Sequence, residues 1–221
     1  MSVWNIIYTY KEGLFSGLLV TLGLVLIVWL SGLVFGVLFG TFAHRQKESV
    51  GWFLKIISFL LASTPILVIL FWLHYPLQAM LGIVVVPFIT AACALSVVNI
   101  VGVAQIVRDT LGDFPEQYTV AGRVCGLTER EIFLKIELPI IFRQTIPQFL
   151  TLQVSMLQMT LFASLISVQE VFRVAQQINS IVYKPIEIYT ALAVFFIAIC
   201  LPLNLLAYWF KNKYTRNVSE K

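Results

Sequence analysis

Charge is what this sequence has least of. Of its 221 residues, 12% are Asp, Glu, Lys or Arg and 59% are apolar, with a mean hydropathy of +0.90. Soluble domains carry about a quarter charged residues, and a soluble chain of this size needs that charge to coat its surface. The shortage argues against an ordinary cytoplasmic enzyme. It also argues against a nucleic-acid binder, even with a net charge of +4. Histidine is scarcer still. His44 and His74 are too few and too far apart for a metal site, or for a Ser-His-Asp or Cys-His arrangement. The three cysteines, Cys93, Cys125 and Cys200, give no disulfide framework and no metal-ligand spacing. No G-x-x-x-x-G-K-[ST] occurs, so the chain lacks a phosphate-binding loop of its own. The acidic pairs Asp109/Asp113 and Glu129/Glu131 lie among basic residues and read as solvated faces on short helices, with no catalytic role. What is left is a polytopic membrane protein that is not an enzyme.

What is present is a set of long uncharged runs. No charged side chain occurs between Glu12 and Arg45, Lys55 and Arg108, Arg143 and Glu170, or Glu187 and Lys211. A membrane-crossing helix needs about 20 mostly apolar residues. The second run is too long for one helix and is interrupted at Tyr75-Pro76 and Pro87, which suggests two spans joined by a short outer turn or re-entrant piece. The expectation is a single all-α membrane domain over residues 1–221 with five spans, near 14–42, 55–74, 83–107, 146–168 and 187–210. The first run has no basic region before it and is too long for a cleaved signal peptide.

Orientation follows from Lys and Arg. With the N-terminus outside, twelve of them fall on inner segments and only Lys11, Arg173 and Lys184 on outer ones. The positive-inside bias therefore expects the N-terminus outside and the C-terminus in the cytoplasm. Gly32, Gly36 and Gly40 place one small residue per turn on one face of the first span. Such a stripe lets two backbones approach closely in lipid, and packing within the chain is expected ahead of subunit pairing.

The segment 108–144 is the richest in charge. Pro115 suits a first helical turn, and a helix from there can reach Val124. Gly126 supplies a left-handed turn. Thr128-Glu129-Arg130-Glu131 has the form of a capping box, opening a second helix expected to stop at about Glu137, because the residue before Pro139 avoids helical geometry. Two short amphipathic helices on the inner face would make a rigid knob.

These residues resemble a family. Ala121-Gly122, three residues, Gly126, nine residues and Ile136-Glu137-Leu138-Pro139 match the spacing of the "EAA" loop of ABC importer permeases. Arg108 with Phe114-Pro115, Thr64-Pro65-Ile66-Leu67-Val68, and Thr160, Ala163-Ser164 with Val168-Gln169-Glu170-Val171 are similar to blocks of the polar amino-acid branch, over roughly residues 13–210. The sequence departs from that pattern at Val120 and Gly122 in the loop, at Ala62-Ser63 before Thr64, and at Gln105 and Gln158, where charged residues are usual.

The resemblance implies a type I importer core, serving as the permease for a polar amino acid in a bacterial inner membrane. Methionine or another small solute is the alternative within transport, and a structural membrane subunit the alternative outside it. It also implies a cytoplasmic ATPase dimer carrying the ATP and Mg, so that this chain binds no cofactor. A binding protein outside and a second permease subunit complete the assembly, and the lost charges favour a heterodimer. Nucleic acid has no part in it. ATPase coupling would fall to Ala121, Gly122, Gly126, Leu127, Glu129, Arg130 and Pro139.

Thr64, Pro65, Gln105, Gln153, Gln158, Thr160 and Glu170 are the candidates for the substrate pathway. Gln148, Thr151, Ser155 and Gln158 share one face of the fourth span, which should meet a cavity or a neighbouring helix. Thr64-Pro65 could free a carbonyl or merely kink the second span, with packing the expected reason. Glu170 is expected to pair with Arg173 or to help dock the binding protein, ahead of touching substrate.

Overall fold

The computed structural model describes residues 3–45 and 48–215. Lys47, Arg216 and Lys221, which entered the charge count, lie outside the described residues. A short α1 (Val3–Thr9) precedes α2 (Lys11–Ser31), which continues through a π-turn at Gly32–Gly36 into α3 (Val37–Arg45). Then come α4 (Glu48–Ser63), α5 (Ile66–His74), α6 (Pro76–Leu81) and α7 (Pro87–Gly112). The charged segment holds α8 (Glu116–Val124) and α9 (Glu129–Ile132). A π-turn at Phe133–Glu137 leads into α10 (Leu138–Met159) and a 3-10 stretch at Thr160–Ile166. Helix α11 (Val171–Val182) and the long α12 (Pro185–Thr215) complete the described chain.

Among the described residues, four helical rods are long and apolar enough to cross a membrane: Lys11–His44, Pro87–Gly112, Glu129–Ile166 and Pro185–Lys213. The fifth expected span is a bent pair, Val50–Ser63 and Ile66–Leu81, whose halves meet at 94°. This corrects the reading of 55–74 as one helix with at most a kink. Pro65 has no N–H to continue the ladder and disfavours helical geometry at Thr64. It sits at φ −57°, ψ 133°, outside the helix, and the Thr64 hydroxyl donates to the Leu60 carbonyl at 2.9 Å.

A second correction concerns Pro139. The helix opened by Thr128 does not stop there but runs on as one 38-residue rod to Ile166. A π-turn, with its wider hydrogen-bond register, lies immediately ahead of Pro139, and the rod also passes Pro147. At 1.5 Å per residue the rod is roughly 55 Å long, far more than the roughly 30 Å hydrocarbon layer.

The glycine stripe is consumed within the chain. A Cβ at Gly32 would collide with the Asn99 side chain, one at Gly36 would lie 2.6 Å from the Val103 Cβ, and one at Gly40 2.6 Å from the Ala104 carbonyl oxygen. The first rod therefore lies directly on α7. Leu24, Val28, Leu70, Leu95, Met156 and Ile166 form the largest apolar cluster, drawn from α2, α5, α7, α10 and the 3-10 stretch.

Lipid tails are as apolar as leucine, so close packing and interhelical hydrogen bonds must hold such a bundle together. The main polar lock joins three rods. Asn99 Nδ2 donates to the Val28 carbonyl (2.7 Å) and to Gln153 Oε1 (3.0 Å), and Gln153 Nε2 returns a bond to Asn99 Oδ1 (3.1 Å). Trp29 Nε1 donates to the Gln153 carbonyl at 3.1 Å. Asn99 is fully buried and Gln153 nearly so. Replacing Asn99 and Gln153 by Leu, singly and together, is expected to give a coupling energy of about 0.6–1.7 kcal/mol in reversible unfolding from detergent or bicelles. Additive losses would show that the two amides do not act as a pair.

Candidate coupling knob and translocation cavity

The knob is built by its caps. Helix α8 ends in a Schellman arrangement: Leu127 N–H bonds the Gly122 carbonyl (3.1 Å) and Gly126 N–H bonds the Arg123 carbonyl (3.0 Å). Gly126 sits at φ +77° with open space around it, so backbone conformation alone demands glycine there. The capping box forms as the spacing expects, with Glu131 N–H donating to Thr128 Oγ1 and Thr128 N–H to Glu131 Oε2. Gly122 is buried at the crossing, where a Cβ would meet the Ile132 side chain at 2.9 Å. The departure from alanine at this position thus lets α8 seat directly on the base of the long rod. Thr119 adds a bond to Glu137 at 3.3 Å.

Arg123 and Glu129 form an exposed ion pair at 2.8 Å, and hydrogen bonding to Glu129 raises the Arg123 pKa further above its ordinary value. Such exposed pairs orient more than they stabilise. Ala121 and Arg130 are exposed, Leu127 and Pro139 half-buried. Val120 and Val124, one turn apart, project as an apolar ridge, Val124 with 83% of its surface exposed. The motif comparison missed Val124, although an apolar residue four positions after Val120 on a polar helix was visible.

A cavity of about 530 Å³ lies where the second span breaks, between α4, α5, α7 and α10. Ser58, Thr64, Pro65, Gln105, Met156 and Met159 are among its walls. Three of the seven pathway candidates, Thr64, Pro65 and Gln105, therefore come together. Gln105 is held by Asp109, whose two carboxylate oxygens accept from its Nε2 at 2.9 and 2.8 Å. Its Oε1 is left toward Ser58, whose hydroxyl approaches at 3.5 Å. Asp109 thus belongs to the last turns of α7, not to a separate short helix, and it has a positioning task. Among the described residues, no charged side chain lines the cavity.

The other four candidates lie elsewhere. Gln153 spends its amide on Asn99. Thr160 is fully buried and donates to the Leu157 carbonyl at 2.7 Å. Gln158 is exposed on α10 and reaches Cys200 of α12. With Gln148 and Thr151, also exposed, and half-buried Ser155, it makes a polar stripe beside the cavity-lining face.

Glu170 is fully buried at the far end of the bundle as the N-cap of α11. Its carboxylate accepts the backbone N–H of Phe172 (2.9 Å) and of Arg173 (2.7 Å). The expected partner was the Arg173 side chain. The extended backbone at Glu170 brings the carboxylate over the free N–H groups instead, and Arg173 Nε is buried without a partner. Thr21 Oγ1 takes the Val171 N–H at 3.1 Å, so α11 is clipped to α2. Burial pushes the Glu170 carboxyl up to about 7, against the backbone donors that lower it. Among the described residues, no group of three His, Cys, Asp or Glu side chains is placed to hold a metal.

Membrane-spanning rods, a capped knob on one rod and a cavity at a broken helix define a polytopic transport component. The chain belongs to the binding-protein-dependent transport system inner membrane components, whose family model matches residues 32–216. It is a multi-pass inner-membrane protein of an ABC transport system. It is 26% identical over 219 residues to the L-cystine transport system permease protein TcyB of Bacillus subtilis, covering 98% of this chain and 93% of that one. It is 26% identical over 210 residues to the glutamine transport system permease protein GlnP of Escherichia coli, covering 92% and 93%. Among solved structures, an amino acid ABC transporter superposes with a TM-score of 0.81 at 21% identity, over 94% of this chain and 96% of that one. The MetNI methionine ABC transporter, inward-facing, superposes at 0.67 with 17% identity, over 96% and 99%.

Replacing Gly126 by Val forces a β-branched residue into left-handed geometry, at a cost of about 1–2 kcal/mol. The expected outcome is normal membrane insertion with loss of transport and of transport-coupled ATP hydrolysis in reconstituted vesicles. Retained transport would show that the turn is only a helix end.

Proposed function

We infer that this chain is the permease of an ABC importer for a polar amino acid, and that it forms the translocation path across the inner membrane. The observation that carries the reading is a single helix with two duties. The rod Glu129–Ile166 begins in the knob and, toward its far end, supplies Met156 and Met159 to the cavity wall. A stroke delivered at Ala121, Gly122, Gly126, Leu127, Glu129 and Arg130 would be carried past Pro139 to the substrate's surroundings.

The knob faces the cytoplasm in this reading, with the N-terminus outside, as the distribution of Lys and Arg favours. The Val120–Val124 ridge then docks on an ATPase subunit, which holds the ATP and its Mg. Closure of the ATPases tilts the rods, and a loaded binding protein biases the opposite state from outside. Helix α11, clipped by Glu170 and Thr21, lies on that outer side.

At the cavity, the break at Thr64-Pro65 leaves the first N–H groups of α5 without intrahelical partners, close to Gln105 Oε1 and Ser58. Backbone donors at a helix start suit a carboxylate, and an amide oxygen suits an ammonium group. An uncharged cavity with both fits a zwitterionic amino acid, and the names of TcyB and GlnP point the same way. The stripe is exposed at Gln148 and Thr151, while Ser155 is half-buried and Gln158 reaches Cys200 of α12, and exposed polar groups of this kind are costly against lipid. It is therefore assigned to the interface with a second permease subunit. The uncharged Gln105 and Gln158 favour an unequal partner that contributes more of the substrate contacts.

Replacing Gln105 by Leu removes the acceptor and releases Asp109. In vesicles reconstituted with the ATPase and binding protein, uptake of the cognate amino acid is expected to fall about tenfold, the effect of losing one buried hydrogen bond. Basal ATP hydrolysis should persist. Unchanged uptake would remove the cavity from the pathway.

A further inference from the structure

A second cavity, of about 450 Å³, opens at the knob end of the bundle between the last turn of α3, the first turns of α4 and the end of α7. Its chemistry differs from that of the translocation cavity. Arg108, Lys55 and His44 line it together with Asp109 and Asp113. The Arg108 guanidinium lies flat over Gly51, where a Cβ would come 2.6 Å from Nη2 and 2.8 Å from Cζ. Glycine at position 51 is thus what admits the guanidinium.

Arg108 Nη1 is buried with no hydrogen-bond partner. Neither Arg108 nor Lys55 has an ion pair among the described residues. The neighbouring Asp109 has both oxygens engaged by Gln105, and Asp113 is exposed just past the end of α7. A buried cationic donor left unpaired is costly. A phosphate group supplies what is missing, because a guanidinium meets it with two parallel bonds and an ammonium adds a point charge. Lys55 stands four residues beyond Gly51, one turn along α4.

The source of the phosphate is indicated by the rim. Trp52 and Phe53 on α4 are 67% and 56% exposed, and Phe42 on α3 is 50% exposed. Phe42 adjoins Ala43 and Trp52 adjoins Gly51 of the cavity lining, giving an aromatic surface that a soluble anion would leave bare and acyl chains would cover. Aromatic residues gather at the membrane interface, and basic pockets between spans on the cytoplasmic side hold anionic headgroups. We propose that this cavity is a headgroup site for an anionic phospholipid of the inner leaflet, with Arg108 as its buried phosphate ligand and Lys55 as its second. The leaflet rests on the orientation inferred above, whereas the test reads lipid and not transport.

The full-length chain is placed in nanodiscs holding a minority of phosphatidylglycerol in phosphatidylcholine, and the retained lipids are counted by native mass spectrometry. The wild type should enrich phosphatidylglycerol. Lys55→Gln, which changes an exposed side chain, should lower that enrichment about fivefold, the worth of one basic residue at an anionic surface. Arg108→Gln should lower it further, and Lys55→Arg should restore it. Added orthophosphate should not displace the lipid. Equal enrichment in the wild type and both Gln variants would overturn the proposal, and displacement by orthophosphate would reassign the site to a soluble anion. Uptake by the same variants, measured separately, would distinguish failure of this site from failure of the permease reading.

Discussion

A helix that passes a proline without breaking is the constraint on which the rest of the structure depends. Pro139 cannot donate to the carbonyl four residues back, and in a regular helix its ring would force a kink. A π-turn at Phe133–Glu137 lies just ahead of the proline, and Glu129–Ile166 remains one helical rod past both Pro139 and Pro147. Were the helix to end at Leu138, the knob would hang from a joint and its motion would be lost there. With the rod continuous, α8 sits on it through Gly122 and Ile132, and in the proposed coupling a displacement of α8 would displace the cavity wall as well. The Schellman turn at Gly126 and the capping box at Thr128 serve this continuity, since both close the backbone bonds that a loose loop would leave to water.

The rod needs a bearing, and lipid supplies no hydrophobic drive to hold helices together. Close approach and buried polar contacts do that work. The stripe Gly32, Gly36 and Gly40 brings the first rod onto α7, and the Asn99–Gln153 amide pair ties α7 to the long rod with Trp29 and Val28 as further partners. At the far end, Glu170 and Thr21 satisfy the opening N–H groups of α11 between them. The bundle is thus pinned by polar contacts at its middle and at the end away from the knob, while the knob end is exposed.

Much of this was legible in the sequence, and the exceptions have physical causes. Uncharged runs located the spans, because a charged side chain in hydrocarbon is too costly to leave unplaced. The spacing from Ala121 to Pro139 announced the knob and the family, since a left-handed glycine and a capping box are local features. What depended on through-space contact was not legible. Thr64-Pro65 marked an interruption, but nothing in the pattern fixed the angle of 94° at which the two halves meet. Gln153 was visibly polar, yet that it would face Asn99 rather than substrate is a property of the assembled bundle. The stop read at Pro139 failed because a π-turn leaves no compositional trace. Glu170 was noticed, and its partner misjudged, because the backbone N–H groups of Phe172 and Arg173 compete with a side chain no pattern can orient.

Distances within and between rods, read by double electron–electron resonance, test the central claim most directly. In a cysteine-free background, spin labels at Arg130 and Ser155 report along the rod, and labels at Ser155 and Phe59 report across the cavity. In the reconstituted importer, the first distance should be the same with and without ATP while the second changes. A first distance that shifts with nucleotide would mean that the helix bends between these positions, which include Pro139 and Pro147, and that the knob does not drive the cavity through a rigid rod.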